Sequence, residues 1–171
     1  MPFLHACVFY IDAFSERYGR LLSWLLLGMA LLTTLVVVLR YGFNIGSILT
    51  QELVVYMHGS VFLLGAAYAL KTGAHVRVDI FSRQFSARTR AWIESLGGIV
   101  FLLPLCAFIL ASSWGYAAES WAMRETSAEP GGIPAVFLLK SLIPLMAINL
   151  ALQGIAEILR STLLLVEGAE P

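Results

Sequence analysis

The stretch "LLSWLLLGMALLTTLVVVL", residues 21–39, contains no charged side chain in 19 positions. As a helix it covers about 28 Å, close to the roughly 30 Å hydrocarbon thickness of a bilayer. Further apolar runs at 53–70, 95–118 and 133–159 repeat the pattern, and together they predict spans at about 21–39, 51–70, 92–118 and 133–159. The rest of the composition agrees. Of 171 residues, 59% are hydrophobic and 13% charged, about half the charged share of a soluble domain. A water-soluble fold would lack polar surface to cover itself. Lipid admits only structures whose backbone hydrogen bonds close internally, and the period-2 alternation of a barrel is absent. The reading is an all-α membrane protein with four transmembrane helices, a single domain over 1–171. No repeat relates its halves. A net charge of zero argues against a nucleic-acid partner.

Charge sets the orientation. The segment "KTGAHVRVDIFSRQFSARTR", residues 71–90, carries five of the eleven basic residues and one acid, Asp79. Eight Lys and Arg flank one side of the predicted spans and two, Arg40 and Arg124, the other. By the positive-inside rule both termini and the 71–90 loop are cytoplasmic. Val76, Val78, Ile80, Phe81 and Phe85 among these charges predict an interfacial loop in contact with membrane lipids, and Ser86 is placed to cap the third helix. Phe3, Cys7, Ile11 and Phe14 recur at helical spacing behind Pro2, so residues 2–20 read as an amphipathic N-terminal segment. Because it carries Asp12, Glu16, Arg17 and Arg20 and lacks a small-x-small cleavage pattern, the first apolar run reads as a retained span and not a signal peptide. Trp24, Trp92, Trp114 and Trp121 fall near span ends, as an aromatic belt requires.

Charges within spans are costly, which singles out Glu52 and Lys140. Both belong near the non-cytoplasmic boundary, where they are expected to form a pair, with Arg40 beside them, that fastens helices or a partner subunit. His58 lies deeper and reads as a helix-packing or interface residue bonded to a carbonyl or hydroxyl. Neither the paired histidines of a haem site nor the three or four donors of a metal site are present, so no cofactor is expected. Asn149 and Gln153 read as interhelical hydrogen-bonding residues, and Gly59, Ser60, Gly65, Ala66, Ala69, Gly97 and Gly98 as points of close helix approach. Pro104 and Pro144 mark kinks, with Ser141 near the carbonyl that Pro144 frees. Gly131, Gly132 and Pro134 break the chain before the fourth helix. Cys7 and Cys106 are apolar fillers. No nucleophile with its base, phosphate loop or carboxylate pair is present, which argues against an enzyme.

Secondary transporters bind solute near the midplane at broken helices between repeats. Here the midplane is aliphatic, which points to an accessory subunit that gives a larger partner bulk and orientation. The alternative is a self-contained homo-oligomeric proton-coupled exporter using Glu52 as its switch. A quinone-linked thiol oxidase or a haem-bearing anchor would need cysteine pairs or paired histidines.

"RYGFN" at 40–44, "QEL" at 51–53, "GAHVRVDIF" at 73–81, and "KSLIPL" at 140–145 followed by "LQGIAEILR" at 152–160 resemble the small membrane subunit of tripartite ATP-independent periplasmic (TRAP) transporters. The resemblance covers about residues 20–160, with "HVRVDIF" its most specific piece. It implies a bacterial inner-membrane system that imports organic acids or related solutes on a sodium gradient. Its partners would be a large membrane subunit that carries the transport path and a periplasmic substrate-binding protein. The small subunit would be a scaffold without catalytic residues. On that resemblance Arg40, Glu52 and Lys140 stabilise the assembly, and His75, Arg77 and Asp79 fix the cytoplasmic loop.

Overall fold

The computed structural model describes residues 2–74 and 85–168. It is all-helical, with no strand among the described residues. Four helices are long and apolar enough to cross a membrane: α1 (Pro2–Phe43), α2 (Ile48–Lys71), α3 (Ala87–Met123) and α4 (Val136–Glu167).

Pro2 opens α1 in the first turn, where its missing N–H costs nothing, and the helix then runs unbroken for 42 residues. The amphipathic N-terminal segment is thus the first half of α1 and not a separate interfacial helix. Its Asp12 and Ser15 are turned onto α4 and its Glu16 onto Lys71 of α2, so these polar positions give the chain no reason to bend at the membrane surface. Asn44 ends α1 with φ 56°, a left-handed conformation that short polar side chains tolerate. Ser47 caps α2 by accepting from the Thr50 N–H at 3.3 Å. Ser86 caps α3 as the sequence predicts, accepting from the Thr89 N–H at 3.2 Å.

Each middle helix contains one widened π turn, Ser60–Leu64 in α2 and Gly98–Leu102 in α3. The second ends two residues before Pro104, whose ring disrupts the regular ladder and gives the irregularity a local cause. The expectations for Val76, Val78, Ile80 and Phe81, and for His75, Arg77 and Asp79, lie outside the described residues.

The interior inverts the soluble pattern. Of the eight buried hydrophobic residues among those described five are alanines, whereas Phe62, Phe101, Phe108 and Trp114 face outward. Hydrocarbon solvates large apolar side chains as well as a core would, so close backbone approach decides what goes inside. α4 is the hub. In its most apolar window 28% of residues are buried, against 6%, 6% and 11% in the other three helices, and α1, α2 and α3 all pack on it.

Glycines make the tightest approaches. A Cβ on Gly98 would lie 2.6 Å from Ile158 Cγ1, and one on Gly154 would lie 2.6 Å from Leu102 Cδ2. At Gly19 it would lie 2.3 Å from the Tyr68 ring. Of the glycines the sequence singles out, Gly98 is in such a contact and a Cβ on Gly59 would lie 3.1 Å from Leu139 Cδ1, but Gly97 faces open space. Gly19 and Gly154 were not anticipated. Cys7 and Cys106 are free thiols.

Candidate functional site

Polar side chains gather at the two ends of the bundle. At the end that the charge count assigns to the non-cytoplasmic side, residues 124–135 fold over the start of α2. Glu52, one turn into α2, accepts from the Ile133 N–H at 2.6 Å and from the Ser127 hydroxyl, which occupies both carboxylate oxygens. Gly132 leaves room for this: a Cβ there would lie 2.6 Å from Glu52 Oε1. Lys140, in the second turn of α4, donates to Glu125 Oε2 at 2.6 Å, and the Ser120 hydroxyl donates to the same oxygen at 2.6 Å. The ammonium stands 4.0 Å from the Tyr116 ring centroid, within cation–π range. Arg124, with φ 49°, covers the Trp121 and Phe137 rings.

The expected pair of Glu52 and Lys140 is therefore not formed. Both lie at one end, but the loop inserts between them and supplies each with its own partner. Arg40 joins neither. It is exposed beside Asn44 and Gln51, without a polar partner among the described residues. Ser141 also departs from expectation: its hydroxyl donates to the Phe137 carbonyl at 2.7 Å and accepts from the Trp121 indole at 2.7 Å, and does not serve the carbonyl freed by Pro144.

The Lys140 hydrogen bond, helped by that from Ser120, holds the Glu125 carboxyl below its ordinary value of 4.5 against the opposing effect of burial. A depressed carboxylate contributes stability above its unfolded value and loses that contribution as pH falls through the folded one. Thermal melts in detergent are expected to weaken below pH 4.5, and Glu125→Gln should flatten that limb. An unchanged limb in the variant would remove Glu125 from the account. Likewise, Glu125→Lys with Lys140→Glu should recover more folded protein than either single change, whereas exchanging Glu52 with Lys140 should not.

At the other end one amide organises the contact between α1 and α4. Gln153 is fully buried. It accepts from the Ser15 hydroxyl at 2.6 Å and donates to Asp12 at 3.1 Å and Glu157 at 3.2 Å. Arg160 closes the circuit at 2.5 Å to Asp12 and 2.6 Å to Glu157. Lys71, at the end of α2, donates to the Asp12 carbonyl at 3.0 Å and to Glu16 at 2.6 Å. Every polar group of Gln153 is used, the condition under which a buried network fixes one arrangement. Gln153 fulfils its expected interhelical role. Asp12, Ser15, Glu16, Glu125 and Glu157 were missed, although Gln153, Glu157 and Arg160 recur at i, i+4 and i+7, a polar stripe on an otherwise apolar helix.

His58 is in neither cluster. Ten residues from Ile48, it lies about 15 Å into α2. It is exposed, stacked on Phe62 at 6.2 Å, and makes no hydrogen bond among the described residues. None of the described residues supplies the bond expected of it.

The profile of a family described as tripartite ATP-independent periplasmic transporters, DctQ component, matches residues 29–163. A protein of Haemophilus influenzae named as a TRAP transporter small permease protein is 33% identical over 86 residues, 50% of this chain and 53% of its own length. The C4-dicarboxylate TRAP transporter small permease protein DctQ of Vibrio cholerae is 30% identical over 96 residues, 56% of this chain and 41% of its own. The matches thus span about half the length of these relatives or less. No solved structure matches the chain significantly.

Proposed function

This chain belongs to the family of DctQ components of tripartite ATP-independent periplasmic transporters and is a multi-pass protein of the bacterial inner membrane, and from that membership we propose that it is the small permease subunit of such a transporter, acting as a scaffold. In this reading it forms a single four-helix domain that holds the stationary part of a large membrane subunit. A periplasmic binding protein delivers the solute, and a sodium gradient drives uptake through the large subunit. The C4-dicarboxylates in the name of the Vibrio cholerae relative favour an organic acid as the solute. The chain performs no chemistry of its own.

One observation carries the scaffold reading: Glu52, Glu125 and Lys140 at one end and Asp12, Gln153 and Arg160 at the other are spent on partners within the chain, while His58 is left outward at mid-depth. An unpaired imidazole facing hydrocarbon is costly, and such residues turn toward protein or a water-filled cavity. The Val55, His58 and Phe62 face is the surface that the large subunit would cover, giving His58 the hydrogen bond that no described residue of its own chain provides. Glu52 and Lys140 then act inside the subunit by fixing the 124–135 loop, and Arg40 contacts the partner at the rim. The same arrangement disfavours a self-contained exporter, because Glu52 is already held by Ser127 and Ile133.

The test is reconstitution. Proteoliposomes holding this chain alone should take up no organic acid under a sodium gradient, and adding the large subunit and binding protein should restore uptake. His58→Ala should lower recovery of the large subunit in a pull-down several-fold and leave the ranking of competing solutes unchanged. A changed ranking would place His58 on the transport path, and uptake by the chain alone would end the scaffold reading.

A further inference from the structure

The face of α1 turned away from α2 and α4 has its own chemistry. Tyr10, Phe14, Arg17, Leu21 and Trp24 follow one another at alternating steps of four and three, so they form one ridge along the helix. All are exposed, Trp24 at 72%. Opposite them Ser15, Gly19 and Leu22 are buried in the bundle, so the ridge cannot be the packing face. Beside it opens a shallow hollow lined by Ala13, Glu16, Arg17, Arg20, Leu21 and Trp24, all on α1.

The charges of this hollow are arranged for an anion. Its one acid, Glu16, is spent: one oxygen takes the Lys71 ammonium at 2.6 Å and the other meets Arg20 Nε at 3.4 Å. Lys71 is drawn inward by that contact and by the Asp12 carbonyl. Arg20 is steadied through Nε alone, so both its terminal nitrogens stay open on a side chain 74% exposed. Arg17 makes no ion pair among the described residues and is exposed. Two guanidiniums therefore face one opening with the local carboxylate already neutralised. Guanidinium is the cation whose fork matches phosphate oxygens.

Depth selects the ligand. Arg20 and Arg40 are twenty residues apart on a continuous helix, about 30 Å, the hydrocarbon thickness of a bilayer. That places Arg17 and Arg20 at one phosphate plane, and the positive-inside count makes it the cytoplasmic one. Trp24 stands one turn deeper, where indoles settle. Beyond it Leu27, Leu31 and Leu35, all exposed, continue an apolar track into the bilayer. We propose that this hollow is a binding site for an anionic phospholipid, with its phosphate held by Arg17 and Arg20 and an acyl chain laid along Leu21, Trp24 and Leu31. The site depends on the membrane position of α1 and not on the scaffold role.

The purified full chain, stripped of lipid in mild detergent, is titrated with phosphatidylglycerol, phosphatidylcholine or inorganic phosphate, and bound lipid is read by native mass spectrometry. Phosphatidylglycerol should bind saturably and the other two should not. Arg17→Gln with Arg20→Gln should weaken it roughly thirtyfold, the effect of losing two charges near the surface. Arg88→Gln with Arg90→Gln, an equal loss of charge on α3, should weaken it less than threefold. With Trp92, Trp114 and Trp121 replaced by Phe, brominated phosphatidylglycerol should quench Trp24, and the Arg17 and Arg20 changes should shift that quenching to roughly thirtyfold higher lipid.

Equal weakening by both double variants, equal binding of phosphatidylcholine, or binding of inorganic phosphate alone would overturn the site. So would loss of the large subunit, with lipid binding intact, in the Arg17 and Arg20 variant, since the ridge would then be a protein contact.

Discussion

Gln153→Ala is expected to lower the stability of the bundle by about 2–4 kcal/mol, the range for emptying a fully buried large side chain. Shape and hydrogen bonding both contribute. Truncation removes volume where α1 meets α4, and it leaves the Ser15 hydroxyl and one oxygen each of Asp12 and Glu157 without their partner. Interhelical hydrogen bonds in membranes average only about 0.6 kcal/mol, so volume should dominate. Gln153→Leu separates the two effects. It keeps most of the bulk and loses the bonds, so it should cost roughly 1–2 kcal/mol, from the polar groups left unpaired. Unfolding in mixed micelles, followed by far-ultraviolet circular dichroism, measures both changes. Equal losses in the two variants would show that packing at Gln153 contributes nothing.

Gly19→Ala is the second large effect. The added methyl would fall 2.3 Å from one Tyr68 ring carbon and 2.4 Å from another, and a ring wedged between α1 and α2 cannot give way like the end of a flexible chain. Overpacking of this kind costs about 1–3 kcal/mol. Gly98→Ala meets Ile158 Cγ1 at 2.6 Å and Cδ1 at 2.9 Å and should cost a similar amount, because a β-branched side chain in a helix is stiff at χ1. Gly97→Ala has nothing within 4 Å and should be neutral or gain up to about 1 kcal/mol from helix propensity. Adding Tyr68→Ala to Gly19→Ala should recover part of the loss, since contacting residues couple. If the substitutions at 97 and 98 behaved alike, close approach at Gly98 would not be what holds α3 to α4.

The four spans were legible because hydropathy depends on composition over twenty residues, which no tertiary contact alters. Helix ends were less so. Asp12 and Glu16 look like reasons for a helix to stop, yet each is bonded to a neighbouring helix, and once paired it no longer opposes continuation. Partners were least legible. Glu52 and Lys140 were identified from cost alone, but who meets whom depends on the path of residues 124–135, and nothing in their composition says that Glu125 would reach Lys140 first. The bonds from Gln153 and Arg160 to Asp12 cross more than 140 positions of chain, a separation that periodicity cannot bridge. His58 shows the opposite limit. Its depth was readable, but its outward direction follows from the rotation of α2, which packing on α1 and α4 sets.

α4 is the element on which the other three converge, and it is the last of them to leave the ribosome. Until it arrives, α1 and α2 have only each other, and α3 lacks its principal neighbour. Asp12 waits for Arg160, and the small faces around Ala91 and Ala117 stay open to lipid. Until α4 is made the other three helices are therefore an unfinished bundle, and a chain cut before residue 136 is expected to lack the fold.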